Sequence, residues 1–304
     1  MDDTETSDAL PVDLFACDAP RLRYVRLANT RLCAERIPKV FSPIKELNYC
    51  FAEALSFPTT VLLHCHALET LIIYGKYCSI ELADDDLCTL PGDKLRFVDM
   101  TVFEGSAGLI HRLPCASIPG IAIALSDKQS AQALLSHLHG RIELHLDLEA
   151  DGQRLFLHYQ SVETGMRRTF LASPAQIGTA YLPPVYVADD LVSRVETLHA
   201  TSTCAGLVPA FHELAACTRV TFSLAEGERL EPPPRPLCVP KLQRVEISSP
   251  APRSLDTGDL VVFLDAAFSP GSEAVQVAIT GATLDGDLGS IPQERFIISP
   301  AVET

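Results

Sequence analysis

One supersecondary pattern recurs along this chain and limits the folds open to it: a short strand, one amphipathic helix, then two or three alternating strands. The copy that begins at Ile121 shows it most fully. Ile121–Leu125 reads as a strand, and Ser126-Asp127 caps a helix with Ala131, Leu134, Leu135 and Leu138 on one face. Gly140 supplies the permissive residue that ends it. Arg141–Glu149 then alternates without a break, Ile142, Leu144, Leu146 and Leu148 on one side, Arg141, Glu143, His145 and Asp147 on the other. Such a strand buries one face and keeps the other wet. Ala150-Asp151-Gly152-Gln153 forms a turn, Leu155, Leu157 and Tyr159 return, and Met166–Leu171 is a third strand.

The other copies are read the same way. Ser42-Pro43 opens a helix carrying Ile44, Leu47, Phe51 and Leu55, followed by a meander of Thr60–His66, Leu71–Tyr74 and Tyr77–Leu82. A strand near Arg194–His199 leads to a helix with Leu207, Ala210, Phe211 and Leu214, and then to the alternating Val220, Phe222 and Leu224. Glu231–Pro240 is a proline-rich loop, and Lys241–Ile247 is a further strand. In the last copy Leu260–Leu264, Ala274–Thr280 and Arg295–Ser299 read as strands, and the helix shrinks to a turn at Asp265–Gly271.

Charge and cysteine usage narrow the function. The net charge is −15, unevenly spread: residues 1–20 hold six acids and no base, and residues 21–45 hold seven bases against Glu35. A protein that grips nucleic acid alone is usually basic, so any DNA role needs a local surface or a larger assembly. Ten cysteines lie dispersed, without a CxxC, mostly in apolar stretches. Met1–Ala9 is acidic and polar, unlike a secretory signal, and the apolar runs are far shorter than the ~20 residues of a membrane span. Reduced thiols in the cytosol or nucleus are expected.

Helix-and-meander units, paired into two domains about an extended Pro-punctuated linker, resemble the DNA sliding-clamp superfamily. Ser126–Leu171 is similar to the second half of a clamp N-terminal domain. Ala210-Phe211-His212-Glu213-Leu214 is similar to the first helix of the C-terminal domain, most like the Rad-one-type subunit of the nine-one-one checkpoint clamp. Phe296-Ile297-Ile298-Ser299-Pro300 resembles the closing strand. The resemblance implies an α+β, two-domain sliding-clamp fold, each domain a pseudo-repeat of β-α-β-β-β units with inner helices and outer antiparallel sheets. Its boundaries would be an N-terminal extension at 1–36, an N-terminal domain at 37–171, a linker at 172–188 and a C-terminal domain at 189–304.

That resemblance also implies a function: a non-enzymatic, nuclear subunit of a DNA-encircling heterotrimer in damage-checkpoint signalling and repair. It implies two other clamp-like subunits, duplex DNA held without sequence preference, a clamp loader, no membrane and no cofactor. Lys45, Lys128, Gln132 and His212 would face DNA from the helices, although Glu46, Glu53 and Glu213 share those helices. Tyr181, Leu182, Pro183 and Ile298 would line a groove for client peptides. Two alternatives stay open, a homo-oligomeric or viral polymerase processivity factor and a metal-dependent hydrolase or nuclease. The second is motivated by His64-Cys65-His66 on one strand and by Asp84-Asp85-Asp86, with His111 or Cys88 as further ligands. Neither group is complete at metal-ligand spacing, so no catalytic or metal residue is assigned. No P-loop, dinucleotide fingerprint or Gly-x-Ser-x-Gly occurs.

Overall fold

Alternation of buried and more exposed residues marks several strands of this protein. Ile142–Leu148 and Leu155–Ser161 bury every second side chain at their centres, as do Thr70–Gly75 and Gly120–Ala124. The computed structural model describes residues 10, 18–30, 32, 39–51, 56–75, 79–81, 94–102, 106–124, 128–149, 154–172, 189–211, 213–269, 274–287, 289 and 292–299.

In chain order the first elements are β1 (Tyr24–Ala28), a 3-10 turn (Lys39–Phe41), β2 (Glu46–Phe51), β3 (Ser56–Pro58), α1 (Thr60–His64), β4 (Thr70–Gly75) and β5 (Ser79–Glu81). They continue with β6 (Phe97–Val102), α2 (Ser106–Ile110), β7 (Gly120–Ala124) and α3 (Lys128–Leu135). Then come β8 (Ile142–Leu148), β9 (Leu155–Ser161), β10 (Arg167–Ala172), α4 (Asp189–Val192), β11 (Val195–Thr201) and a 3-10 segment (Ser202–Ala210). The last are β12 (Arg219–Ser223), β13 (Arg244–Asp256), α5 (Thr257–Ala267), β14 (Val275–Asp285) and β15 (Phe296–Ser299).

The chain forms a strand-rich mixed α/β protein with mostly parallel sheet. It divides into two compact units, residues 1–137 with 166–171, and residues 138–165 with 172–304. In the first unit the strand order is β1-β2-β4-β6-β7-β10, and each neighbouring pair is parallel. A separate parallel pair, β3 with β5, lies on the connections. In the second unit the order is β9-β8-β11-β12-β13-β14-β15, parallel except for the β8–β9 hairpin.

Register shows a shorter recurrence than the multi-strand unit expected from the sequence, with one strand per turn. Tyr24 stands opposite Glu46, Glu46 opposite Thr70, Thr70 opposite Phe97 and Phe97 opposite Gly120, so each turn of chain advances 22 to 27 residues. That period belongs to solenoids built from one strand and a short helix or 3-10 turn per repeat. Inward positions stack into columns: Leu27, Tyr49, Ile73, Met100, Ile123 and Phe170 in the first unit are all buried. In the second unit Leu146, Ala200, Phe222, Ile247 and Ile279 form the equivalent column. A parallel sheet usually needs cover on both faces. Here the outward positions are mostly polar and partly exposed, as in antiparallel sheets.

Several sequence expectations are corrected. The outer sheets expected to be antiparallel are parallel, β8–β9 apart; alternation looks the same in either pairing, because it reports which face is dry and not which way the neighbour runs. The helix expected from Ile44 is strand β2, with Leu47 and Tyr49 buried on alternate positions. Conversely, Thr60–His66 was expected to be a strand and holds α1, whose Val61 and Leu62 are buried. The helix expected around Leu207–Leu214 is a 3-10 segment ending at Ala210. Leu260–Leu264 lies within α5, the helix that the last copy was expected to lack. The strands expected at Leu71–Tyr74, Arg194–His199, Ala274–Thr280 and Arg295–Ser299 are present as β4, β11, β14 and β15. The linker expected at 172–188 lies, from 173 onward, outside the described residues.

Candidate functional site

Among the described residues, the outward face of the second unit brings together a cluster of side chains able to bind a metal. His145 on β8 is paired in register with His199 on β11 and, across the hairpin, with His158 on β9. The His145 and His199 rings stack, with centroids 4.2 Å apart and planes 15° from parallel. Glu143, two residues before His145 and so on the same face, places a carboxylate oxygen 4.0 Å from His145 Nε2. One ligand atom from each of Glu143, His145 and His199 lies within 4.8 Å of the others, and all three residues are partly exposed.

A β-bulge creates this cluster. Register between β11 and β8 slips between Val195 and Thr197, leaving Glu196 as the extra residue. Strict alternation from the buried Val195 would turn His199 inward; the bulge instead buries Leu198 and Ala200 and turns His199 out beside His145. Glu196 is used at the strand start, where Arg141 donates to it and, through Nε, to Glu163 at 2.9 Å. Burial lowers the pKa of His199, Glu143 and Glu246 oppose that shift, and Arg219 adds to it. Row by row the same face continues through Thr221 and Glu246, the latter held 2.7 Å from Arg244 Nε.

On the first unit the outward face is different. It presents Tyr24, Tyr74 and Phe97, exposed by 50%, 40% and 38%. Beside them lie the small residues of β7, Gly120, Ala122 and Ala124. The Phe97 ring lies over Gly120, where an added Cβ would meet it at 2.8 Å. Asn48, Thr70, Asp99 and Thr101 supply polar groups between the aromatics.

The residues expected to face DNA are not brought together on helices. Lys45 stands in the turn before β2, outside any helix, and its Nζ is paired with Glu69. Lys128 and Gln132 do belong to a helix, α3, with Gln132 exposed; the Lys128 side chain and His212 lie outside the described residues. Of the expected peptide groove, Ile298 is on β15, half-buried, and Tyr181, Leu182 and Pro183 lie outside the described residues. His64 ends α1 and His66 follows in a turn, so the two do not share a strand face as expected. Asp84, Asp85, Asp86 and Cys88 lie outside the described residues, and His111 follows α2 in a turn.

Four of the described cysteines are buried. Burial pushes the Cys65 and Cys217 thiols up to about 12, and those of Cys115 and Cys204 up to about 11, which suppresses the reactive thiolate. Glu143 and His145 were visible in the sequence as members of a wet strand face. His199 was not, because its outward direction depends on the bulge. No family model, curated protein or solved structure matches this chain.

Proposed function

We propose that this protein is a non-enzymatic binding scaffold that docks a protein partner on the outward face of its first unit. The observation that supports this most is the exposure of Tyr24, Tyr74 and Phe97 on one sheet face, among small and polar neighbours that include Glu46 and Asp99. Aromatic side chains on a rigid, partly apolar surface are the usual anchors of protein–protein contacts, and they bury large area at low entropic cost. Arg26 and Arg167 are the basic residues on that face among the described strands, too few for a phosphate backbone to be the natural occupant. The net charge of −15 favours a partner of neutral or basic surface.

The checkpoint-clamp expectation draws no support from this geometry. Clamp rings, as the resemblance has them, continue antiparallel outer sheets across subunit boundaries and turn helices toward DNA. The ladders here are parallel, and Lys45 is in a turn.

The test is comparative capture from cells by the full chain and by a Tyr74→Ala, Phe97→Ala double variant with unchanged circular dichroism. Partner proteins are expected to be lost, by roughly tenfold or more, from the variant alone. Equal capture by both proteins would overturn the assignment of this face. Recovery of two clamp-like chains with both would return the ring to first place.

A further inference from the structure

We propose that Glu143, His145 and His199 bind a zinc ion on the outward face of the second unit, a site separate from the aromatic face of the first unit. The topology does most of the assembly. Adjacent parallel strands lie about 4.8 Å apart, so two histidines in register stand side by side, and a carboxylate two residues along the strand joins them on the same face. His145 and His199 are so paired, with Glu143 4.0 Å from His145 Nε2.

The donor set selects the metal. Two imidazoles and one carboxylate suit a borderline divalent cation, whereas calcium and magnesium prefer sites made wholly of oxygen. Zinc–nitrogen bonds of 2.0–2.1 Å in tetrahedral geometry set neighbouring ligand atoms about 3.3 Å apart. The three atoms now lie within 4.8 Å of one another, so closing the site needs only side-chain torsions, with the two strands already in place. The charge around His199 is mixed: Glu246, one row partner beyond Thr221, is a second carboxylate but is paired with Arg244, and Arg219 also lies near. Three protein ligands leave the fourth position open toward solvent, because none of the three residues is buried. The site is therefore exchangeable, and it ties β8 to β11 when filled.

Cobalt(II) titration of the metal-stripped full chain tests this, with zinc as competitor. Wild-type protein is expected to take up cobalt with visible d–d absorption that the His145→Gln, His199→Gln double variant lacks, and zinc is expected to displace it. Affinity in the double variant, and in Glu143→Gln, is expected to fall at least about tenfold. The ten cysteines are distinguished by spectrum, since thiolate ligation adds a strong near-ultraviolet charge-transfer band. An unchanged titration in the double variant would overturn the proposal, as would a wild-type protein that binds no cobalt at millimolar concentration.

Discussion

Arg168 is the largest fully buried side chain among the described residues, and the hydrogen bonds described for it go to backbone carbonyls. Its Nη1 donates to the carbonyls of Ile118, Pro119 and Arg167, and its Nη2 to that of Cys115 at 2.7 Å. The guanidinium fork thus satisfies the backbone that enters β7, a task the single ammonium of a lysine would do poorly. Burial lowers its pKa to about 10. Asp99 shows the opposite sign of strain. Desolvation raises its carboxyl above the ordinary value, although Thr101 Oγ1 donates to it at 2.6 Å. A carboxyl that holds its proton more tightly when folded makes stability fall as pH rises through the window between its unfolded and folded pKa. Asp99→Asn is therefore expected to raise the thermal midpoint at pH 7 by ~1–3 °C, with the gain shrinking toward pH 4, as followed by calorimetry. Neither role was legible beforehand. Of the adjacent Arg167 and Arg168 one had to face inward, and only the register with Ile121 decides which.

At the scale of elements, α5 shows a helix signal that the sequence does contain. Leu260, Phe263, Leu264 and Ala267 are buried at helical spacing, and the Asp256 side chain accepts a hydrogen bond from the Asp259 amide at 3.0 Å. Gly258 and the adjacent Val261-Val262 weigh toward strand, which is why the segment reads both ways. Asp256→Ala is expected to cost about 1 kcal/mol in urea unfolding by removing that cap. The confusion over Ile44–Leu55 has the same origin. Its apolar residues fit helical spacing, but Leu47, Tyr49 and Phe51 fit a strand equally, and the tertiary contact of Tyr49 with Phe57 at 5.3 Å fixes the second. The bulge in β11 lies beyond any such periodicity, since it is defined only by the partner strand.

For the whole molecule, the wet face of Arg141–Glu149 could be seen in the sequence, but the one-strand recurrence and the parallel pairing could not. Connections of about 20 residues permit a return on either side, and turn-forming pairs such as Asp151-Gly152 suggest hairpins throughout. In a solenoid each repeat rests on its neighbours, so damage stays local. Phe263 packs edge-on against Phe222, with ring centroids 5.0 Å apart. Phe263→Ala is expected to cost ~3–5 kcal/mol, and hydrogen exchange should show β12, β13 and β14 losing protection before β8 and β9. Uniform loss across the second unit would mean that its turns unfold as one body. The bulge at Glu196 also has a hereditary meaning. Adding or deleting a single codon there moves a histidine between the dry and the wet side, so a lineage can gain or lose surface chemistry through strand length while every other residue stays the same.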